Sequence, residues 1–146
     1  MNKYTLSSAD ISLQSLHQIF IDAYLDSSID NESETIIVRM GGFSIFLDIV
    51  GRATYLRLSL SFGLADNLPD SDLLAFLARI GADSHYYAFI HKKRGSASTR
   101  YEVVQIGTYL PVFDEIDRRL IVRELHSFNV GISKICETPE ARAAID

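Results

Sequence analysis

With 146 residues, 14 Lys and Arg and 19 Asp and Glu, the chain carries a formal net charge of −5. That length predicts one domain able to fold without a disulfide or structural metal. That charge argues against non-specific nucleic-acid binding, which needs Lys and Arg to neutralise phosphates, and favours solubility and a basic partner. The single cysteine, Cys136, leaves no internal disulfide and fits a reducing compartment. The N-terminal MNKYTLSSADISLQ lacks the apolar core of a secretory signal. No run approaches the roughly 18 apolar residues a membrane helix needs. The expectation is a cytoplasmic protein with neither membrane nor nucleic acid among its partners.

Residues 1–10 read as a loose lead-in. Leu13, Leu16, Phe20 and Ala23 then recur at helical spacing, with Ser8, Asp10 and Ser12 as candidate N-caps. The end of this helix has two readings. It runs to Leu25, or it breaks near Ile21 and the segment from Asp22 to Asp26 begins an edge strand. The segment DSSIDNESE (26–34) is polar and turn-rich, a loop or a ragged strand end.

Residues 35–62, TIIVRMGGFSIFLDIVGRATYLRLSLSF, carry the strongest pattern. Gly41-Gly42 separates two alternating runs, and glycine accepts the positive φ angles of a two-residue type I′ turn. Such a turn pairs Met40 with Phe43, Val38 with Ile45 and Ile36 with Leu47, all on one apolar face. The other face is mixed: Arg39 with Ser44, Ile37 with Phe46, Thr35 with Asp48. A second tight turn at Arg52-Ala53 sets Leu58 beside Leu47, Leu60 beside Ile45, Phe62 beside Phe43 and Ile49 beside Leu56. The same register opposes Asp48 to Arg57 and Ser44 to Ser61. Apolar layering and charge match thus agree on one register, a three-stranded antiparallel meander.

Pro69-Asp70 marks the next helix start, and Leu73, Phe76, Leu77 and Ile80 form its stripe up to Gly81. Leu74 and Ala78 widen its apolar surface. Residues 84–106 read as a second hairpin, HYYAFI and YEVVQI, joined by the polar, basic HKKRGSASTR. Tyr109-Leu110-Pro111 closes the strand region. Asp114 is the expected cap of a last helix, with Glu115 and Asp117 in its first turn. Ile121, Leu125, Phe128, Ile132 and Ile135 make its stripe, and residues 138–146 read as a frayed tail. The order α-β-β-β-α-β-β-α predicts an α+β fold. It is a five-stranded, largely antiparallel sheet with helices packed on one face. One domain spans 1–146, with its core at about 11–136.

Four stretches in this order carry a resemblance. VRMGGFSIFLDI is the first hairpin, YLRLSLSFGL the third strand and LLAFLARIGADSHYYAFI a helix plus strand. RYEVVQIGTYLPVFDEIDRRLIVRELHSF is the last strand, a Pro-containing turn and a long helix. Together they resemble the YbjN-like family of bacterial proteins over roughly residues 13–135. The likeness is one of pattern, without a catalytic motif. It implies the fold of class I type III secretion chaperones: small, acidic, cytosolic α+β homodimers that bind unfolded partner segments along apolar surface. The family's label of sensory-transduction regulator implies no reaction. HKKRGSASTR departs from the family pattern in being longer and more basic.

No constellation points to chemistry. His17 and His126 fall on different helices. His85 and His91 share a predicted strand but lie ~20 Å apart, too far for one metal. Cys136 has no partner spacing for an activated thiolate and reads as a small apolar packer. Asp66, Asp70 and Asp72, and Asp114, Glu115 and Asp117, cluster at helix starts, where capping accounts for them. The basic tip Lys92, Lys93, Arg94 and Arg100 reads as a solvated hairpin end that also discourages edge pairing, with an acidic or phosphate partner as the rival reading. No phosphate-loop, dinucleotide or nucleophile-elbow motif is present. The expectation is no catalytic, cofactor or metal site.

Tyr86, Tyr87, Phe89, Tyr101 and Tyr109 crowd the second hairpin, and Ile37, Phe46 and Tyr55 add apolar surface to the mixed face. One helical layer cannot cover both faces, and aromatics with Arg favour interfaces. Arg39, Phe46, Tyr55, Arg57, Leu74, Tyr87 and Phe89 are the candidate partner-binding residues. The expected function is a non-enzymatic, chaperone-like or adaptor protein that homodimerises and binds a partner polypeptide. The alternative is a regulatory domain sensing a small ligand between helices and sheet. An enzyme ranks third.

Overall fold

The structure, a computed structural model, describes residues 4–53, 55–82, 85–92 and 101–146, with the backbone alone for Lys92, Tyr101 and Glu102. In chain order the elements are β1 (Thr5–Ser7), a 3-10 turn (Ser8–Asp10), α1 (Leu13–Asp22), β2 (Asp26–Asp30), β3 (Thr35–Met40), β4 (Phe43–Val50) and β5 (Tyr55–Gly63). Then follow α2 (Asp70–Ala82), β6 (Tyr87–Lys92), β7 (Tyr101–Pro111), β8 (Glu115–Asp117), α3 (Arg118–Cys136) and α4 (Pro139–Ala144). Among the described residues the strands form a six-stranded sheet of order β2-β3-β4-β5-β7-β6 and a two-stranded sheet of β1 and β8. The α+β class stands, and the strand count is corrected from five.

The extra strand of the large sheet is β2. It exists because α1 stops at Asp22 without a glycine. Tyr24 takes φ 59, the left-handed position after the helix. The Leu25 N–H donates to Phe20 O and the Tyr24 N–H to Ile21 O, both at 3.0 Å. These two bonds make a Schellman ending with tyrosine where glycine is usual. The chain then turns into β2, which pairs antiparallel with β3, Ser27 against Val38 and Ile29 against Ile36. Of the three candidate caps, Ser12 is the one used. Its hydroxyl accepts from the Ser15 N–H at 3.1 Å, and the Ser15 hydroxyl accepts from the Ser12 N–H at 2.9 Å.

Chain contacts divide the molecule into two units, Met1–Ser59 with Tyr109–Val130, and Leu60–Thr108 with Gly131–Asp146. In the first unit the meander stands in the expected register: Val38 opposite Ile45, Leu47 opposite Leu58, Asp48 opposite Arg57. Gly41 (φ 59) and Gly42 (φ 82) make the first turn. A Cβ on Gly41 would come within 2.8 Å of the Asn129 amide, so this hairpin tip seats against α3. Arg52 (φ 55) and Ala53 (φ 64) occupy the second turn, and Val50 faces Tyr55 across it. Ile36, Val38, Ile45, Leu47 and Leu56 are buried on the apolar face, α1 packs on β2 and β3, and Leu16, Phe20, Ile121, Leu125 and Phe128 are buried with them.

The expected loose lead-in is instead β1. Leu6 pairs with Ile116 and both are buried, which anchors a segment too short to show a pattern. The expected helix start at Asp114 is also corrected, because Glu115–Asp117 is strand β8 and α3 begins at Arg118. Asp117 performs the capping, its Oδ1 accepting from the Arg119 N–H at 2.8 Å.

In the second unit Leu73, Phe76 and Ile80 of α2 are buried, Leu77 is half-buried, and the helix runs one residue past Gly81. β6 pairs antiparallel with β7, Ile90 against Val104 and Ala88 against Ile106. The expected frayed tail is α4. Thr138 caps it, accepting from the Ala141 N–H at 3.3 Å, and Ala141 and Ala144 are buried. Two main-chain bonds tie the terminus to the segment after β5: the Ala65 N–H to Ala144 O at 2.8 Å, and the Asp146 N–H to Gly63 O at 3.0 Å.

Candidate functional site

Alternation along β3, β4 and β5 puts Arg39, Phe46, Tyr55 and Arg57 on the mixed face of the first unit. Ile37 and Phe46 pair at its centre, both half-buried. On one side Arg39 lies 3.5 Å from Asp26 of β2 and donates to the Ser28 hydroxyl at 3.4 Å. On the other, Arg57 donates from Nε (3.2 Å) and Nη2 (2.8 Å) to one oxygen of Asp48. The next row holds Tyr55 edge-on to Tyr109, ring centroids 6.1 Å apart. Tyr55 is 42% and Tyr109 45% exposed. The face is therefore a half-buried apolar centre between two ion pairs, ending in an exposed aromatic pair. The exposed Arg39–Asp26 pair contributes little to stability, about 0.2–1 kcal/mol.

The second unit carries the remaining candidates. Leu74 projects from α2 and is 64% exposed. Tyr87 and Phe89, two apart on β6, share one face with ring centroids 5.2 Å apart, Tyr87 half-buried and Phe89 exposed. The seven candidates thus divide four and three between the units.

Sequence reasoning missed a cleft in the first unit, about 500 Å3, lined by Tyr4, Ile19, Asp22, Ala23, Arg118, Arg119 and Val122. Tyr4 falls in the segment that reads as a lead-in, and Arg118 and Arg119 carry no pattern of their own in the sequence. Only the pairing of β1 with β8 brings them together, through the Arg118 N–H donating to Tyr4 O at 2.7 Å. Arg119 stacks its guanidinium over the Tyr4 ring, 4.6 Å from the centroid. It also binds Asp117 through Nε to Oδ1 (3.2 Å) and Nη2 to Oδ2 (2.8 Å). The Arg119 hydrogen bonds hold the Asp117 carboxyl below its ordinary range, and Asp117 in turn raises the Arg119 guanidinium.

Elsewhere the ionisable groups serve local structure. His17 Nε2 lies 3.3 Å from Ser27 O, and His91 Nε2 lies 3.2 Å from Gln105 Oε1. His85 precedes β6 instead of sharing its strand with His91. Among the described residues no three His, Cys, Asp or Glu side chains gather as a metal site. Burial pushes the Cys136 thiol up. Side-chain and backbone bonds from Ser33 lower Asp30, and Glu140 is lowered by backbone and Arg79 hydrogen bonds. The side chains of the basic tip Lys92, Lys93, Arg94 and Arg100 lie outside the described residues. No helix is long and apolar enough to cross a membrane, among the described residues.

No protein-family model matches the chain, and no curated protein matches it by sequence. The fold is similar to the crystal structure of YbjN from E. coli, a candidate transcription regulator, with a TM-score of 0.74 and 14% sequence identity. The match covers 93% of this chain and 96% of that one. The YbjN-like fold expected from the sequence is borne out.

Proposed function

We propose that the protein is a non-enzymatic, chaperone-like adaptor that forms a homodimer and binds a partner polypeptide on the mixed face of its meander. The observation that carries this reading is the half-buried Ile37–Phe46 centre set between the Asp26–Arg39 and Asp48–Arg57 pairs and bordered by the exposed Tyr55 and Tyr109. Aromatic and Arg anchors around an apolar centre are the composition of protein interfaces. The acidic balance of the chain favours a basic partner. In the other unit Leu74 and Phe89 are exposed, and Tyr87 lies beside Phe89, which offers further apolar contacts.

A second reading, a regulatory domain that senses a small ligand, is favoured by the cleft at Tyr4 and Arg118. It also suits the shared fold with a candidate transcription regulator.

The test is binding of a permanently unfolded polypeptide, a small basic protein reduced and carboxamidomethylated, to the wild type and to Phe46→Glu and Arg57→Glu. Light scattering gives the oligomeric state in parallel. Loss of binding in folded Phe46→Glu, with a wild-type dimer, is expected. A wild-type monomer that leaves the unfolded chain unbound would sink the reading.

A further inference from the structure

We propose that the cleft between Tyr4, the end of α1 and the start of α3 binds a small organic monocarboxylate with an aliphatic body. The cleft shares no residue with the mixed face, so the proposal is independent of polypeptide binding. Its volume, about 500 Å3, is that of a small-molecule site, and Ile19, Ala23, Val122 and the Tyr4 ring give it apolar walls.

The polar groups select the ligand. Arg118 lines the cleft, and its Nε has neither solvent nor a hydrogen-bond partner, so a small rotation of the side chain that turns its fork into the cleft lets a ligand satisfy it. A buried donor left unmade is costly and calls for a partner. The Arg118 backbone is held to Tyr4 O, so the side chain starts from a fixed point. Arg119, by contrast, is already engaged by both oxygens of Asp117 and by the Tyr4 ring. Asp22 also borders the cleft, its Oδ1 accepting from Gln18 Nε2 at 2.8 Å.

Arg118 offers one positive charge that no side chain neutralises, enough for one anionic group, and Asp22 elsewhere on the lining disfavours a second. A phosphate dianion would meet one cation and be repelled by Asp22. A carboxylate is planar and takes two parallel bonds from a guanidinium fork, which suits Arg118. An aliphatic chain then lies along Ile19, Ala23 and Val122.

The experiment titrates octanoate into 15N-labelled full-length protein and follows amide shifts, with octanol and inorganic phosphate as comparison probes. Octanoate is expected to shift the Tyr4, Ala23, Arg118 and Val122 amides saturably, and octanol and phosphate to leave them in place. Arg118→Met should weaken octanoate binding about ten- to a hundredfold, since a charge-assisted bond is lost. Asp22→Asn should tighten it. If Arg118→Met fails to fold, Arg118→Lys, which keeps the charge and loses the fork, is expected to bind several-fold more weakly. Saturable binding of octanol as tight as that of octanoate, displacement of octanoate by phosphate, or unchanged affinity in the folded Arg118 variant would each overturn the proposal. So would the absence of any octanoate-dependent shift at these four amides.

Discussion

Replacing Gly131 by alanine tests the packing of the second unit, because two effects of opposite sign meet there. Gly131 lies inside α3, where alanine ordinarily stabilises by about 1 kcal/mol. A Cβ at this position, however, would overlap the Tyr86 hydroxyl and come within 2.9 Å of Tyr86 Cζ and 3.2 Å of Cε2. Two ring carbons are involved besides the hydroxyl oxygen, so rotating the hydroxyl gives no relief and the half-buried ring itself must move. Forcing a side chain out of a packed position costs about 1–3 kcal/mol. The overlap outweighs the propensity gain, and the net loss should be about 1 kcal/mol, or a melting point lower by about 2–4 °C. Thermal denaturation by circular dichroism reads this directly. In a Tyr86→Ala background the overlap is gone, and the same Gly131→Ala change should raise stability. Coupling between the two positions of at least about 1 kcal/mol is expected. If Gly131→Ala stabilises the wild-type protein as much as the Tyr86→Ala variant, Tyr86 does not pack against α3 as described.

Tyr24→Gly should stabilise by about 1 kcal/mol in urea denaturation, because a side chain in the left-handed region costs about 1–2 kcal/mol and glycine there offsets part of this with chain entropy. Tyr24 is 96% exposed, so no burial is lost, and a destabilised variant would disprove the helix ending. Thr138→Ala removes the α4 cap and should cost about 1 kcal/mol. Hydrogen exchange should then speed up at Ala65 and Asp146, whose N–H groups bond to Ala144 O and Gly63 O, whereas unchanged rates would mean the terminus is not docked. Acid should destabilise the fold. The folded-state carboxyls of Asp30, Asp117 and Glu140 lie below their ordinary range, so their contribution is present above the unfolded carboxylate pKa and lost as pH falls through the folded one. The melting point of Glu140→Gln should therefore fall less than that of the wild type between neutral and acidic pH, and an equal fall would contradict the Arg79–Glu140 contact.

The meander was legible because three signals converged on one register: Gly41-Gly42, the period-two apolar run, and the Asp48–Arg57 match. The α3 stripe was legible through its spacing, and Ile121, Leu125, Phe128, Ile132 and Ile135 are all buried. What escaped was set by partners remote in sequence. Strand β2 is polar and half-buried, and only its pairing with β3 makes it a strand. Strands β1 and β8 are three residues each, too short for periodicity, and each is defined by the other. The acidic run at 114–117 has the look of a helix start because carboxylates favour a helix N-terminus, and only pairing with β1 makes Glu115–Asp117 a strand. In α4 the buried residues are alanines, Ala141 and Ala144, which carry little hydropathic signal. The mixed face could be placed from alternation alone, whereas the Arg118 cleft depends on the β1–β8 pair and had no local signature.

The central claim is that the mixed face holds a polypeptide. Chemical-shift mapping on isotope-labelled protein, with the reduced and carboxamidomethylated polypeptide added to saturation, tests it most directly. The largest shifts are expected at Ile37, Arg39, Phe46, Asp48, Tyr55 and Arg57. Saturable binding that leaves these residues unshifted, with the changes confined to Leu74, Tyr87 and Phe89 or to the Arg118 cleft, would contradict it.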